Sequence, residues 1–235
     1  MTWRWLIFSS LVPLCLPAAP AATVTGQVEL TNSRDPAVHR HKDYSGVVLW
    51  LEPVEHAPLP MSKTVKMVQQ DKHFVPHVVA IPVGGTVDFP NLDPFYHNAF
   101  STFSGQQFDT GLYPPGTSQS VTFKHPGIVR VFCNIHSTMS AIIAVVPTPY
   151  YVVTPESGKF VLAGVPPGEY QFRIFHERAQ PANLKFLERR ITVPEAGLAL
   201  PLISVSETGY VPAPHLDKHG KPYPPASGTY IGGSN

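Results

Sequence analysis

Proline recurs too often in this chain for long helices to compete: 27 of its 235 residues are proline. Each removes a backbone donor and clashes with the preceding helical turn. Between the prolines lie short runs rich in Val, Ile, Phe and Thr, which read as strands. They are Val24–Leu30, Val47–Leu51, Thr64–Gln70, Val78–Val83, Thr86–Phe89, Ala99–Phe103, Ser118–Thr122, Gly127–Cys133 and Ala141–Val146. A second set comprises Tyr150–Thr154, Lys159–Leu162, Gly168–Phe175, Phe186–Val193 and Ala199–Val205. Turn signals such as Gly84-Gly85, Asp93-Pro94 and Pro166-Pro167-Gly168 separate them. Many short strands at this spacing predict an all-β chain built of sandwiches.

The first 22 residues are set apart from that pattern. Arg4 is followed by an apolar run from Leu6 to Leu16 and then by Ala18-Ala19-Pro20-Ala21-Ala22. This order predicts a secretory signal peptide cleaved after Ala21 or Ala22, and hence a periplasmic or otherwise exported protein. The apolar run is shorter than the roughly 20 residues a membrane-spanning helix needs, so no membrane span is expected after cleavage. Loss of Arg4 leaves the 17 basic residues at 16, matching the 16 acidic ones. A near-neutral chain without a long basic patch argues against nucleic acid as a partner. Of the two cysteines, Cys15 falls in the signal, which leaves Cys133 alone. A lone thiol in an oxidising compartment persists most readily when something occupies its sulfur.

The chemistry concentrates around that thiol. In Cys133-Asn134-Ile135-His136-Ser137-Thr138-Met139, a strand ends at Cys133 and the next begins near Ala141. One short loop thus presents a thiolate, an imidazole and a thioether. Upstream, Asn91-Leu92-Asp93-Pro94-Phe95-Tyr96-His97-Asn98 offers a second imidazole between two strands. Thiolate and thioether are soft ligands that stabilise Cu(I), whereas imidazole serves either oxidation state. Two His, one Cys and a weak axial Met form the electron-transfer copper arrangement. Zinc prefers four strong ligands and rarely recruits Met, and the Cys-x-x-Cys-His of covalent haem is absent. A Cys-His nucleophile fits poorly, because no third group stands out to orient the histidine.

These motifs resemble amicyanin and its plastocyanin-like cupredoxin relatives. Besides the ligand loop and Asn-x-Asp ahead of His97-Asn98, the likeness includes Phe74-Val75-Pro76, Gly85-Thr86-Val87-Asp88-Phe89 and the strand Pro126–Phe132. It spans residues 63–146. The resemblance implies a Greek-key β-sandwich holding one copper ion in a type 1 site. His97, Cys133 and His136 would be the strong ligands and Met139 the long axial one. It also implies that the Asn98 N–H donates to the thiolate, and that His136 is where electrons enter and leave through a docked redox partner protein. The family often carries proline before the second histidine, where Ile135 stands here. Ile135 keeps its N–H, which can reach the thiolate and favour Cu(I), so a raised reduction potential is expected. Ser137 replaces a proline after the same histidine, leaving a less rigid loop.

The remaining sequence predicts no catalytic set, and Asp93, Asp109 and Glu156 show no paired-carboxylate logic. His39 and His41 lie in a polar loop, Arg34–Lys42, and His215 and His219 in the tail, all read as surface imidazoles. His73, His77 and His125 are read as flanking strands without binding metal. The stretch Thr154–Leu162, with Gly164-Val165-Pro166-Pro167-Gly168 after it, resembles the carboxypeptidase regulatory-like sandwich. That family's opening strands have counterparts in Gly26-Gln27-Val28 and Val47–Leu51. The expected organisation is therefore a signal at 1–22 and a copper domain at 63–147. A second, discontinuous small sandwich takes 23–58 and 148–206, the simpler alternative being two domains in series after an N-terminal extension, and 207–235 forms a disordered or loosely docked tail. The whole-chain pattern also resembles cupredoxins of the type labelled methylamine utilisation proteins. Three roles stay open at this point: a non-enzymatic one-electron carrier, a copper storage, delivery or sensing module, or a surface interaction protein whose copper stabilises the fold.

Overall fold

A computed structural model describes residues 21–55, 61–102, 105–212 and 215–223. The stretch read as a signal peptide, apart from its last two residues, lies outside them, as do residues 224–235 of the expected tail. The described chain is almost entirely β, arranged as two sandwiches packed against one another.

In one sandwich, Ala22–Thr31 pairs antiparallel with Lys159–Val165 on one side and parallel with Leu198–Ala199 and Ile203–Ser206 on the other. The facing sheet orders Tyr151–Val153, Val48–Pro53, Gly168–Phe175 and Arg189–Val193. Period-2 alternation sends Val24, Val28, Leu49, Leu51, Phe172 and Ile174 into the shared core.

The other sandwich carries the loops that contain His97 and Cys133. Thr64–Lys66, Thr86–Pro90 and Ser118–Thr122 form its smaller sheet. The larger orders Val78–Pro82, Ser140–Val146, Gly127–Phe132, Phe100–Ser101 and Phe108–Asp109. Their common core includes Phe89, Val131, Ile143, Cys133 and Met139. Ser140–Val146 is apolar almost throughout because both of its faces are covered. Ala141, Ile143 and Val145 point into the sandwich. Ala144 instead points outward, onto a layer with Val48, Trp50, Ala80 and Tyr151 that joins the two sandwiches.

Two segments depart from the strand-only expectation. Pro36–His41, within the segment read as a polar loop, is a short helix with Pro at its start. The carboxylate of Asp35 caps it by accepting the Ala37 N–H at 2.9 Å. Pro181–Leu187 is a second short helix, so the strand expected from Phe186 begins only at Arg189. In both cases proline supplies the φ angle of a first helical turn without losing a hydrogen bond, an effect that apolar alternation does not register.

Of the tail, residues 207–212 and 215–223 are described. Glu207 N–H donates to Thr31 O at 2.9 Å, extending the parallel pairing. Residues 215–223 lie against the loop that follows Cys133, through partners that a Pro- and Gly-rich composition does not reveal.

Candidate metal centre

Cys133 ends the ladder between Gly127–Phe132 and Ser140–Val146, whose last pair is Phe132 with Ser140. The seven-residue loop closes through Cys133 N–H to Met139 O at 3.3 Å and Met139 N–H to His136 O at 3.0 Å. His97 arrives from a different connection. Its backbone exchanges both hydrogen bonds with Tyr113, at 3.3 and 2.9 Å, and Phe100 just beyond pairs with Phe132. That single pairing brings the His97 and Cys133 loops to the same end of the sandwich.

Nδ1 of His97 lies 3.5 Å from Cys133 Sγ, and Nδ1 of His136 lies 3.9 Å from it. All three atoms fall within 4.8 Å of one another. The fit to one metal ion follows from simple geometry. Bonds of about 2.0 Å to nitrogen and about 2.3 Å to sulfur, opened to tetrahedral or trigonal angles, put N and S about 3.5–3.7 Å apart. His97, Cys133 and Met139 are fully buried, while His136 is half-buried. The His97 and His136 rings pack at 4.9 Å, and Phe95 touches both, at 5.1 and 5.4 Å.

The surroundings prepare each donor. Burial pushes the Cys133 thiol up. Hydrogen bonds from His97 and from the N–H groups of Asn98, Ile135 and His136 outweigh that and hold it below its ordinary value. Burial, then the charges of His97 and Lys72, push His136 down to about 4, which leaves its ring neutral near pH 7. His97 Nε2 donates to the Asp93 carboxylate at 2.7 Å, so Nδ1 is the nitrogen left for a metal. Burial lowers His97, but the thiolate and Asp93 raise it more.

Asp93 is the residue that sequence reading missed, because its partners come together only in the fold. Besides His97 it accepts the N–H groups of Asp71 at 2.7 Å and Lys72 at 3.0 Å. Those two residues form the tight turn between Val68–Gln70 and His73–Val75, with φ of +53° and +59°. A non-glycine turn of this hand is disfavoured, and the carboxylate compensates by satisfying both exposed donors. The available signal was its place four residues ahead of His97. Beneath the site, Tyr113 Oη sits 2.7 Å from buried Gln69 Oε1, and the Gln69 amide donates to Asn98 O at 3.0 Å. The Asn98 side chain accepts the Asn134 N–H at 2.7 Å, linking the residues that follow His97 and Cys133. His77, read as a strand-flanking residue, pairs with Glu177 at 2.6 Å, and His215, read as a surface imidazole, stacks on Phe132 with ring centroids 4.1 Å apart.

No protein-family model and no curated protein matches the chain. Solved structures do. Amicyanin from Paracoccus versutus (Thiobacillus versutus) is 20% identical over 35% of this chain and 81% of its own, with a TM-score of 0.33. A purple cupredoxin from Nitrosopumilus maritimus is 26% identical over 32% of this chain and 84% of its own, with a TM-score of 0.30. The copper-containing nitrite reductase of Thermus scotoductus SA-01 is 28% identical over 51% of this chain and 28% of its own, with a TM-score of 0.33. At scores this low, the β-sandwich architecture stands on the strand pairing and layering described above.

Proposed function

We propose that this is an exported type 1 copper protein that carries single electrons. One observation carries the reading: two imidazole nitrogens and a thiolate converge within 4.8 Å on a buried, hydrogen-bonded scaffold. Met139, the proposed axial ligand, closes the same loop. Bound copper would supply a one-electron Cu(II)/Cu(I) couple. The chain's own contribution is to hold the donors in one arrangement for both oxidation states. Asp93 locks the His97 ring, Asn98 ties the two ligand loops, and the N–H groups of Asn98 and Ile135 draw charge from the sulfur. A site that moves little between states reorganises little during transfer.

Half-buried His136 is the proposed port for a redox partner protein. Beside it Ile135 exposes apolar surface, and Phe95 packs on the ring. Among the described residues no helix is long and apolar enough to cross a membrane. Export itself rests on the reading of residues 1–22. The likeness of the second sandwich to the carboxypeptidase regulatory-like family, and a scaffold or partner-binding role for it, rest on its sequence pattern.

Loading the protein with Cu(II) and recording visible and EPR spectra tests this. An intense thiolate-to-copper band that disappears in Cys133→Ser is expected, with fast reversible cycling in potentiometry. A folded, copper-exposed protein without that band would refute the centre. Sluggish exchange with very tight Cu(I) retention would make it a storage or delivery module instead.

A further inference from the structure

The segment 215–223 contains no ligand, yet it holds on to the centre at several points. Its core is a turn closed by Asp217, whose carboxylate accepts the N–H groups of His219 at 2.9 Å and Lys221 at 2.7 Å. The backbone closes it a second time, with Asp217 N–H donating to Lys221 O at 2.8 Å. This turn presents two donors, one to Asn134 beside Cys133 and one to Asp109, which Asn98 contacts. Lys218 N–H donates to Asn134 Oδ1 at 3.0 Å, and its ammonium pairs with Asp109 at 2.7 Å. Asp109 also accepts from Asn98 Nδ2 at 3.1 Å, and Asn98 in turn accepts from Asn134. The result is a closed ring of contacts running through the residues that follow His97 and Cys133.

At the end of the segment, Tyr223 Oη donates to the carbonyl of Cys133 itself at 2.7 Å. That carbonyl lies beyond the last ladder pair, Phe132 with Ser140. The His215 ring completes the contact, stacked on Phe132 at 4.1 Å and edge-on to Tyr223 at 5.1 Å. A carbonyl left without its donor in a buried setting is costly. The peptide it belongs to is the one whose rotation would swing the thiolate and the N–H groups of the ligand loop.

We propose that this C-terminal strap is part of the metal centre and that Tyr223 is a positioning residue for Cys133. By fixing the Cys133–Asn134 peptide, it keeps the ligand loop formed and shut to water before any metal binds. The inference rests on the metal-centre reading, but its first test needs no metal.

The experiment compares the full chain with Tyr223→Phe, which keeps the ring and loses only the donor, and with a chain ending at residue 212. In metal-free protein, alkylation of Cys133 by iodoacetamide should be about tenfold faster in Tyr223→Phe, the ratio that loss of one good hydrogen bond gives. It should be faster still in the shortened chain, with circular dichroism unchanged in both. In Cu(II)-loaded protein, Tyr223→Phe should shift the thiolate charge-transfer band and the copper hyperfine splitting. Alkylation at the parental rate in Tyr223→Phe overturns the assignment, and so does a rise confined to the shortened chain. If the parent shows no charge-transfer band at all, the metal reading fails, whereas the alkylation comparison still reports on the strap.

Discussion

The carboxylate of Asp93 accepts a hydrogen bond from His97 Nε2 at 2.7 Å while both groups are almost wholly buried. The same carboxylate closes the turn at Asp71 and Lys72. It therefore fixes the ring orientation of one proposed ligand and the local backbone with a single group. Replacing Asp93 by Ala should weaken metal binding by about 10- to 100-fold, the usual effect of removing a ligand histidine's partner. Competition titration against a chromophoric chelator measures this. An unchanged Kd would show that packing alone orients the ring.

Ile135 bears one of the N–H groups that stabilise the Cys133 thiolate. Proline at this position has no such donor. An Ile135→Pro variant should show a reduction potential lower by on the order of 40 mV, one hydrogen bond's worth for a one-electron couple. Ile135→Val keeps the donor and should leave the potential where it is. Protein-film voltammetry on the three proteins distinguishes loss of the N–H from a change of side chain.

Glu207 joins the ends of three strands of the sandwich that lacks His97 and Cys133. Its carboxylate accepts from Ser33 Oγ at 2.6 Å, His176 Nε2 at 2.8 Å and Arg178 Nε at 3.0 Å. Burial pushes its pKa up, but these partners bring it down from 4.5 to about 2. A depressed carboxylate stabilises the fold above its unfolded pKa, and the contribution fades as pH falls through the window between 4.5 and 2. The full effect is on the order of 3 kcal/mol. Urea titrations should therefore show Glu207→Gln weaker than the parent at pH 7, with the gap narrowing as pH drops toward 2. A gap independent of pH would assign the loss to packing instead.

Gly158 sits in the left-handed region, φ +68°, where a Cβ would run into the carbonyl oxygen of Val28. Gly158 O also accepts the Val28 N–H at 2.9 Å, so the backbone cannot retreat without breaking the contact between Ala22–Thr31 and the turn before Lys159–Val165. Gly158→Ala should destabilise the protein by about 2–3 kcal/mol. It should lower the urea midpoint while the spectrum of the copper-loaded protein stays the same. A spectral change would mean that the two sandwiches are coupled more tightly than their shared layer implies.

Much of the fold and of the candidate site could be read along the chain because it is local. Alternating apolar residues place strands such as Gly127–Phe132 and Gly168–Phe175, since side chains on a strand face opposite ways every second residue. Cys133, His136 and Met139 occupy one loop between neighbouring antiparallel strands, so chain connectivity alone keeps them together. What lies far apart in sequence was settled only by tertiary structure. His97 reaches Cys133 across 36 residues through the pairing of Phe100 with Phe132. Ala22–Thr31 pairs with Lys159–Val165 in one sheet, and the apolar face the two strands share is covered by the facing sheet of Val48–Pro53 and Gly168–Phe175. Asp93 looked like one more loop acid until the turn at Asp71 and Lys72 folded onto it. Tyr223 gave no periodic signal, because the donor it supplies is matched to a carbonyl 90 residues away. Periodicity registers burial on a local face, whereas a hydrogen bond between distant segments exists only once the chain has closed upon itself.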